Sequence, residues 1–253
     1  MIKNILISGA SSGIGKALSI EYSGDDVNLF ICGRDYKKLI ETKKICESLG
    51  ASVYQEVIDV TDKEKVEQWI ATIENKFELD LVIANAGISA GTDGGPESFD
   101  QIKKIFDTNL FGVLNLIHPT AEKMKLRKKG QIAIISSLAG MRGLPSSPAY
   151  SGSKAAVRVY GEGLRGNLAK FGIKVNVICP GYVKTPMTEV NKFPMPFLME
   201  VDKCAKIIRR GLELNRSRIA FPFPLYFVVW LASLISTKIT DPIFAKLPGK
   251  KQL

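Results

Sequence analysis

The sequence predicts an α/β fold, a doubly wound parallel sheet of about seven strands with helices on both faces. Three observations lead to this prediction: short apolar runs recur along the chain, helical periods lie between them, and the two alternate throughout. Parallel strands joined by right-handed crossovers leave a ligand crevice at their carboxyl ends. We therefore expect the functional residues at that edge of the sheet.

The strands are assigned from apolar runs of the kind that a sheet buried on both faces requires. The strong runs are Ile5–Ile7, Val27–Cys32, Leu79–Ala84, Ile132–Ile135 and Val175–Cys179, and the weaker ones are Ser52–Ile58 and Arg218–Phe221. The first run is too short for a signal peptide and leads directly into a glycine-rich turn. We interpret it as the first strand.

The helices are assigned from apolar residues three and four positions apart. One such series is Val66, Trp69, Ile70, Ile73 and Phe77, and a later one is Val201, Ala205, Ile208 and Leu212. A further helix is expected to begin at Tyr36, because Asp35 can cap its N-terminus.

The length of 253 residues is compatible with one α/β domain. We expect a core domain over residues 1–221, with a substrate loop at about 186–200, and a C-terminal extension of the same domain over 222–253. The net charge of +10 would suit nucleic acid, a membrane surface or a phosphorylated ligand. No nucleic-acid-binding motif is present, so we expect no nucleic-acid partner.

The four cysteines lie far apart and form no Cys-x-x-Cys pair. Neither a disulfide framework nor a metal site is therefore expected, and the natural location is a reducing cytoplasm.

A glycine-rich turn, Gly9-x-x-x-Gly13-Ile14-Gly15, links the first strand to the following helix. Glycines there permit a tight turn and close backbone approach, and a helix N-terminus presents free N–H groups to a phosphate. Ser11 and Ser12 add hydroxyl donors. Glycines in such turns can serve packing alone, but the strand before and the helix after favour phosphate binding and a Rossmann-type fold.

The end of the second strand bears on the type of nucleotide. An acidic side chain there accepts from a ribose 2′-hydroxyl, whereas a basic one holds a 2′-phosphate. Arg34 follows the strand immediately and favours NADP(H), with NAD(H) as the alternative if Arg34 is only a surface charge. Asp59 and Val60, after the third strand, are expected to flank the adenine.

Several further motifs follow in order: Ala84-Asn85-Ala86-Gly87, Asn109, Ser136-Ser137, Tyr150 with Lys154, and Pro180-Gly181 with Thr185. Together with the glycine turn they resemble the short-chain dehydrogenase/reductase family, in its shorter subclass, from Ile5 to about Phe221. The chain departs from the commonest pattern at Ser8, where threonine is usual, and at Ala84, where asparagine is usual. Neither departure removes a group that hydride transfer requires.

Tyr150 and Lys154 lie one helical turn apart, so the ammonium can face the phenol and favour its ionised form. The resemblance implies that Tyr150 donates a proton to a carbonyl oxygen, that Ser137 hydrogen-bonds this oxygen, and that Asn109 holds a water chain reaching Lys154. It also implies that Lys154 binds the nicotinamide ribose and that NADPH supplies the hydride.

The resemblance further assigns cofactor contacts after the fourth and sixth strands. Asn85, Ala86 and Gly87 would support the cofactor, and Pro180, Gly181, Val183 and Thr185 would form a turn beside the nicotinamide. Local backbone scaffolding and a plain strand-ending turn are the alternatives.

The loop Pro186–Met199 is rich in methionine and phenylalanine and suits an apolar carbonyl or alcohol substrate, or simply packs on the core. The segment Phe221–Ile235 is also apolar, with lysines beyond it. It is too short to span a bilayer, and either membrane-surface association or a subunit contact explains it. We expect a homo-dimer or homo-tetramer.

The sequence as a whole predicts an oxidoreductase that transfers a hydride between NADP(H) and an apolar carbonyl or alcohol. The alternative is a dinucleotide-binding membrane-associated or scaffold protein without turnover, although such a protein needs no proton-transfer set. A Ser-His-Asp hydrolase would depend on His118, and no Gly-x-Ser-x-Gly motif supports it.

Overall fold

The computed structural model describes residues 2–191, 193–246 and 250–252 and contains a seven-stranded sheet. The strands are β1 (Asn4–Ser8), β2 (Asn28–Gly33), β3 (Ser52–Val57), β4 (Leu81–Ala84), β5 (Gly130–Ile135), β6 (Ile173–Pro180) and β7 (Arg218–Phe221). They lie in the order β3-β2-β1-β4-β5-β6-β7, and each neighbouring pair is parallel. The predicted fold class and all of the predicted strands are confirmed, with small differences at the strand ends.

Helices cover both faces of the sheet. They are α1 (Gly13–Tyr22), α2 (Tyr36–Ser48), α3 (Lys63–Glu74), α4 (Phe99–Phe106), α5 (Gly112–Arg127), α6 (Pro148–Ala169), α7 (Pro186–Glu189), α8 (Val201–Glu213), α9 (Phe223–Leu234) and α10 (Thr237–Phe244). A π-helical segment, Asp107–Phe111, joins α4 to α5. The predicted cap of α2 is confirmed, because the Asp35 side chain accepts a hydrogen bond from the Lys38 N–H.

The core has two layers, which follow from the alternation of side chains along each strand. On β1, Ile5 and Ile7 pack on one face with residues of α1 and α8. Leu6, between them, packs on the other face with residues of α3 and α5. The uninterrupted apolar run in the sequence therefore fills both layers.

Strand β1 pairs with β2 on one side and with β4 on the other. The chain order reverses at this point, which opens a crevice at the carboxyl ends of β1 and β4. The loops after β1, β2, β4, β5 and β6 all carry predicted site residues to this crevice.

Helices α9 and α10 follow β7 and lie beside the segment after β5. Leu225 and Tyr226 of α9 pack against Leu138 and Cys179. Arg142 anchors α10, since its guanidinium is 2.5 Å from Asp241 Oδ1. Residues 247–249 and 253 of the predicted extension lie outside the described residues. Throughout the described ranges, none of the helices has both the length and the hydropathy that crossing a bilayer requires.

Candidate active site

A cleft of about 450 Å³ lies at the carboxyl ends of the central strands. It extends from Arg34, after β2, to Tyr150 on α6. Predicted site residues that line it are Gly9, Ser11, Ser12, Gly13, Ile14, Arg34, Asp59, Val60, Asn85, Ala86, Gly87, Ser137, Tyr150, Lys154, Pro180, Gly181, Val183 and Thr185. The two predicted residues outside this lining are Gly15 and Asn109, which support it from behind.

The glycine turn fits a phosphate. Gly9 and Gly13 both have positive φ, and a Cβ on Gly9 would lie 2.8 Å from the Ala86 Cα. Ser12 occupies the N-cap position of α1, yet its side chain makes no capping hydrogen bond. The first N–H groups of α1 are thus free of a side-chain cap, unlike those of α2, α3 and α4. A dinucleotide pyrophosphate is a ligand of the right charge for this helix end.

The loop after β4 is held against the glycine turn by Ser8. The Ser8 hydroxyl accepts from the N–H groups of Asn85 at 3.0 Å and Ala86 at 3.1 Å. The Asn85 amide donates back to the Ser8 carbonyl at 2.9 Å. Serine in place of the usual threonine therefore supplies the hydroxyl that this junction uses. The side chain of Asn85 has a scaffolding role here.

The far end of the cleft carries two basic and two acidic side chains, and Lys38 lies 3.6 Å from the Asp35 carboxylate. Arg34 is exposed, and its guanidinium lies 3.9 Å from the Asp59 carboxylate. Lys38, on the first turn of α2, also lines this end of the cleft. It was not among the site residues that we expected from the sequence. No local pattern in the sequence indicated this, because Arg34 precedes the N-cap residue Asp35 and does not share a helical turn with Lys38. Arg34 and Lys38 can both contact a phosphate on a ribose 2′-oxygen.

Tyr150 and Lys154 occupy the opposite end of the cleft, on the first turns of α6. The Lys154 ammonium lies 6.0 Å from the Tyr150 ring centroid and donates to the Ile135 carbonyl at 2.9 Å. Ser137 caps the short turn after β5, where its hydroxyl accepts from the Ala139 N–H at 3.1 Å. Ser136 also lines the cleft, but its hydroxyl donates to the Lys154 carbonyl at 2.7 Å. The Ser136 hydroxyl is thus engaged by the backbone, and Ser137 stays the predicted reacting serine.

Burial controls the acidities at this end of the cleft. It raises the pKa of Tyr150, and a hydrogen bond from Ser137 opposes that rise. Burial also lowers the pKa of Lys154 to about 8. From the sequence we expected the ammonium to lower the pKa of the phenol, whereas in the structure the pKa of Tyr150 is raised. A protonated phenol at neutral pH is suited to donating a proton.

Asn109 lies fully buried in the π-helical segment. Its side chain accepts from the Ile88 N–H at 2.8 Å and donates to the Ile88 carbonyl at 2.9 Å. The amide also donates to the Ser153 hydroxyl at 3.0 Å. The side chain is therefore occupied in joining three segments around the cleft, and it lies directly behind Gly87.

The turn after β6 closes the cleft. A Cβ on Gly13 would lie 3.2 Å from Thr185 Cγ2, so this turn approaches the glycine loop closely. Thr185 caps α7, and its N–H donates to the Thr188 hydroxyl at 3.0 Å. Within the described part of the apolar loop that follows, Met187 lines the cleft, whereas Phe197 is exposed. His118 is exposed on α5 and does not line the cleft.

The fold and this cleft together define a dinucleotide-binding α/β protein with a tyrosine, a lysine and a serine at one end of its crevice. The chain belongs to the short chain dehydrogenase family, whose model matches residues 3–193. It is 32% identical over 246 residues, 97% of both chains, to an uncharacterized oxidoreductase of Myxococcus xanthus.

Solved structures show the same fold. A short-chain dehydrogenase from Streptomyces avermitilis is similar with a TM-score of 0.80 at 24% identity, over 97% of both chains. A variant of actinorhodin polyketide ketoreductase with NADPH is similar with a TM-score of 0.77 at 24% identity, over 86% of this chain and 94% of the other. The protein is thus an oxidoreductase of this family.

Proposed function

We propose that this protein is an NADP(H)-dependent reductase or dehydrogenase of an apolar carbonyl or alcohol. The observation that carries the proposal is the arrangement of one continuous cleft. The uncapped N-terminus of α1 and the basic pair Arg34 and Lys38 line it toward one end, and Ser137, Tyr150 and Lys154 line the other. A protein that only bound the dinucleotide would need no serine hydroxyl and tyrosine phenol placed together at that end.

The three side chains have different roles in the proposed reaction. Bound NADPH supplies the hydride. Tyr150 holds the proton on its phenol oxygen and donates it to the substrate oxygen, which Ser137 orients by a hydrogen bond. Lys154 is fixed by the Ile135 carbonyl and holds positive charge beside the phenol, which lowers the cost of the negative charge left there.

A screen of NADPH oxidation with long-chain, aromatic and small polar carbonyls tests this function. We expect turnover, with the apolar compounds preferred, because Met187 and the adjoining apolar loop border the cleft. Tight NADPH binding without turnover of any carbonyl would instead support the non-catalytic alternative. Exclusive use of small polar carbonyls would contradict the apolar preference.

Carbonyl reduction should slow as pH rises through about 8. Burial lowers the pKa of Lys154 from 10.5 to about 8, so its charge is present below that pH and is lost above it. Tyr150 and Cys179 stay neutral in this range, since burial raises the pKa of Tyr150 and raises that of Cys179 to about 12. Lys250 also contacts the Tyr150 ring, and burial lowers its pKa to about 8, so a variant of Lys154 is needed to separate the two lysines. The measurement is the pH profile of kcat/KM with an uncharged carbonyl and saturating NADPH.

Lys154→Arg provides the matched comparison. A guanidinium keeps its charge throughout this pH range, so the variant should lack the alkaline fall even if its rate is lower. A flat wild-type profile, or the same fall in Lys154→Arg, would contradict the assignment to Lys154.

We propose further that α9 rests on an anionic membrane surface and that the protein acts at the cytoplasmic face. Helix α9 has no buried residue, and Phe223, Val228 and Leu234 are 70%, 61% and 65% exposed. Lys238 and Lys246 follow in the same segment. Apolar exposure beside lysines suits an interface of anionic lipid. Leu225 of the same helix borders Gly181, so the membrane would lie beside the cleft.

Replacing Phe223 and Phe227 together by serine should weaken binding to anionic vesicles by about a hundredfold or more, because each buried aromatic ring contributes about 1.5–3 kcal/mol. Vesicle sedimentation measures this. The matched control is Leu126→Ser on α5, where the side chain is 83% exposed. Failure of the wild-type protein to sediment, together with loss of self-association in the double variant, would identify α9 as a subunit contact instead.

A further inference from the structure

The C-terminal residues 250–252 return to the active site. The Gly91 N–H donates to the Lys251 carbonyl at 2.7 Å, and the Asp93 N–H donates to the Lys250 carbonyl at 2.8 Å. A Cβ on Gly91 would lie 2.5 Å from the Lys250 Cβ, so glycine allows this close approach. The tail is therefore held by backbone hydrogen bonds to the loop after β4, the loop that also borders the cleft.

These contacts place a second ammonium beside the catalytic phenol. The Lys250 Nζ lies 5.9 Å from the Tyr150 ring centroid, almost the same distance as the 6.0 Å of Lys154. It donates to the Ser89 hydroxyl at 2.7 Å. Ile88, the neighbour of Ser89, lines the cleft, as does Tyr150. The ammonium thus lies beside the Tyr150 ring and next to Ile88, two residues that border the cleft.

The charge of Lys250 has no counter-ion among the described residues. No carboxylate of that part of the chain lies within 4.0 Å of its Nζ, and its side-chain hydrogen bond goes to the neutral hydroxyl of Ser89. Burial lowers its pKa to about 8, which shows that its surroundings compensate the charge poorly. Buried charges in proteins are normally paired, and an anionic group on a ligand would complete such a pair.

We propose that Lys250 is a specificity-determining residue that binds an anionic group, a carboxylate or a phosphate, on the carbonyl substrate. The inference rests on the proposed function, because it names a substrate class for the same cleft. The Lys250 ammonium lies 5.9 Å from the centroid of the ring that carries the reacting phenol oxygen. An anionic group bound by Lys250 must therefore lie only a few bonds from the carbonyl that this phenol protonates. The apolar part of such a substrate would face the Met187 side of the cleft.

The test compares a medium-chain γ-keto acid with its methyl ester, which lacks the negative charge and adds one methyl group. In the wild type, the ratio of kcat/KM for the acid to that for the ester should exceed one. In Lys250→Met the ratio should fall about tenfold or more, as expected for loss of a charge-assisted hydrogen bond. The neighbouring Lys251→Met removes the same charge from an exposed position and should leave the ratio unchanged.

Calorimetric titration of the keto acid into the protein with NADP⁺ supplies a readout without turnover. We expect the Kd of the acid to rise about tenfold or more in Lys250→Met and to stay the same in Lys251→Met. The inference would be overturned by equal Kd values in the wild type and Lys250→Met, or by an unchanged acid-to-ester ratio. Reduction of the ester would still support the proposed function in that case. Binding of the acid through Lys250 without reduction of either compound would uphold the subsite and refute the reductase. A repeat with a keto phosphate and its neutral ester separates phosphate from carboxylate recognition.

Discussion

Replacing Tyr150 by phenylalanine should lower the rate of carbonyl reduction by about 10²- to 10⁴-fold, the range that a positioned acid contributes. Phenylalanine keeps the ring and its packing and removes the proton that the substrate oxygen requires. Because burial raises the pKa of Tyr150, the phenol is protonated at neutral pH and is the group poised to donate. Single-turnover measurement of NADPH oxidation would show the loss directly.

Binding of NADPH separates this effect from unfolding. The dissociation constant of NADPH should be nearly unchanged in Tyr150→Phe, since the phosphate contacts lie far along the cleft. Tyr160→Phe is the matched control, because it lies on the same helix with its side chain 37% exposed. A fully active Tyr150→Phe enzyme would remove this residue from the mechanism.

Replacing Arg34 by methionine should reduce kcat/KM with NADPH about 10- to 100-fold and leave that with NADH little changed. The guanidinium lies at the edge of the cleft after β2, where a charge-assisted hydrogen bond to a 2′-phosphate would form. The quantity to compare is the ratio of the two efficiencies in the wild type and the variant.

Lys37→Met is the control for charge alone. Lys37 is exposed beside Lys38 and does not line the cleft, so its loss should not alter the cofactor ratio. Lys38→Met should shift the ratio in the same direction as Arg34→Met, and the two changes together should shift it further. A wild-type preference for NADH would contradict the assignment of both residues.

The fold was accessible from the sequence because its signals are local. Each buried strand needs a short apolar run, and β1 fills both core layers with Ile5, Leu6 and Ile7. The start of α2 could be predicted from Asp35, whose side chain accepts a hydrogen bond from the Lys38 N–H in the first turn. Strand ends were less accurate, as β6 extends to Ile173 and Pro180 through its pairing with β5 and β7.

The sequence predicted the positions of the site residues better than the roles of their side chains. The family resemblance assigned Asn109 to a water chain that reaches Lys154, but its amide is engaged by the backbone of Ile88 and by Ser153, a residue far along the chain. Likewise, Tyr150 and Lys154 share a helix face as expected, yet burial raises the pKa of the phenol, and the effect that opposes it is a hydrogen bond from Ser137. Desolvation depends on everything packed around a group, which spacing alone does not report.

The sequence by itself determined which apolar runs form strands, where the glycine turn lies, and that Tyr150 and Lys154 share a helix face. Each of these depends on neighbours within one turn or one strand. Only the tertiary structure decided that Lys38 joins Arg34 at the cleft, that α9 is left exposed, and that Lys250 lies beside Tyr150. The last of these contacts joins residues a hundred positions apart. Its formation depends on how the whole chain packs, and no local pattern of residue types encodes it.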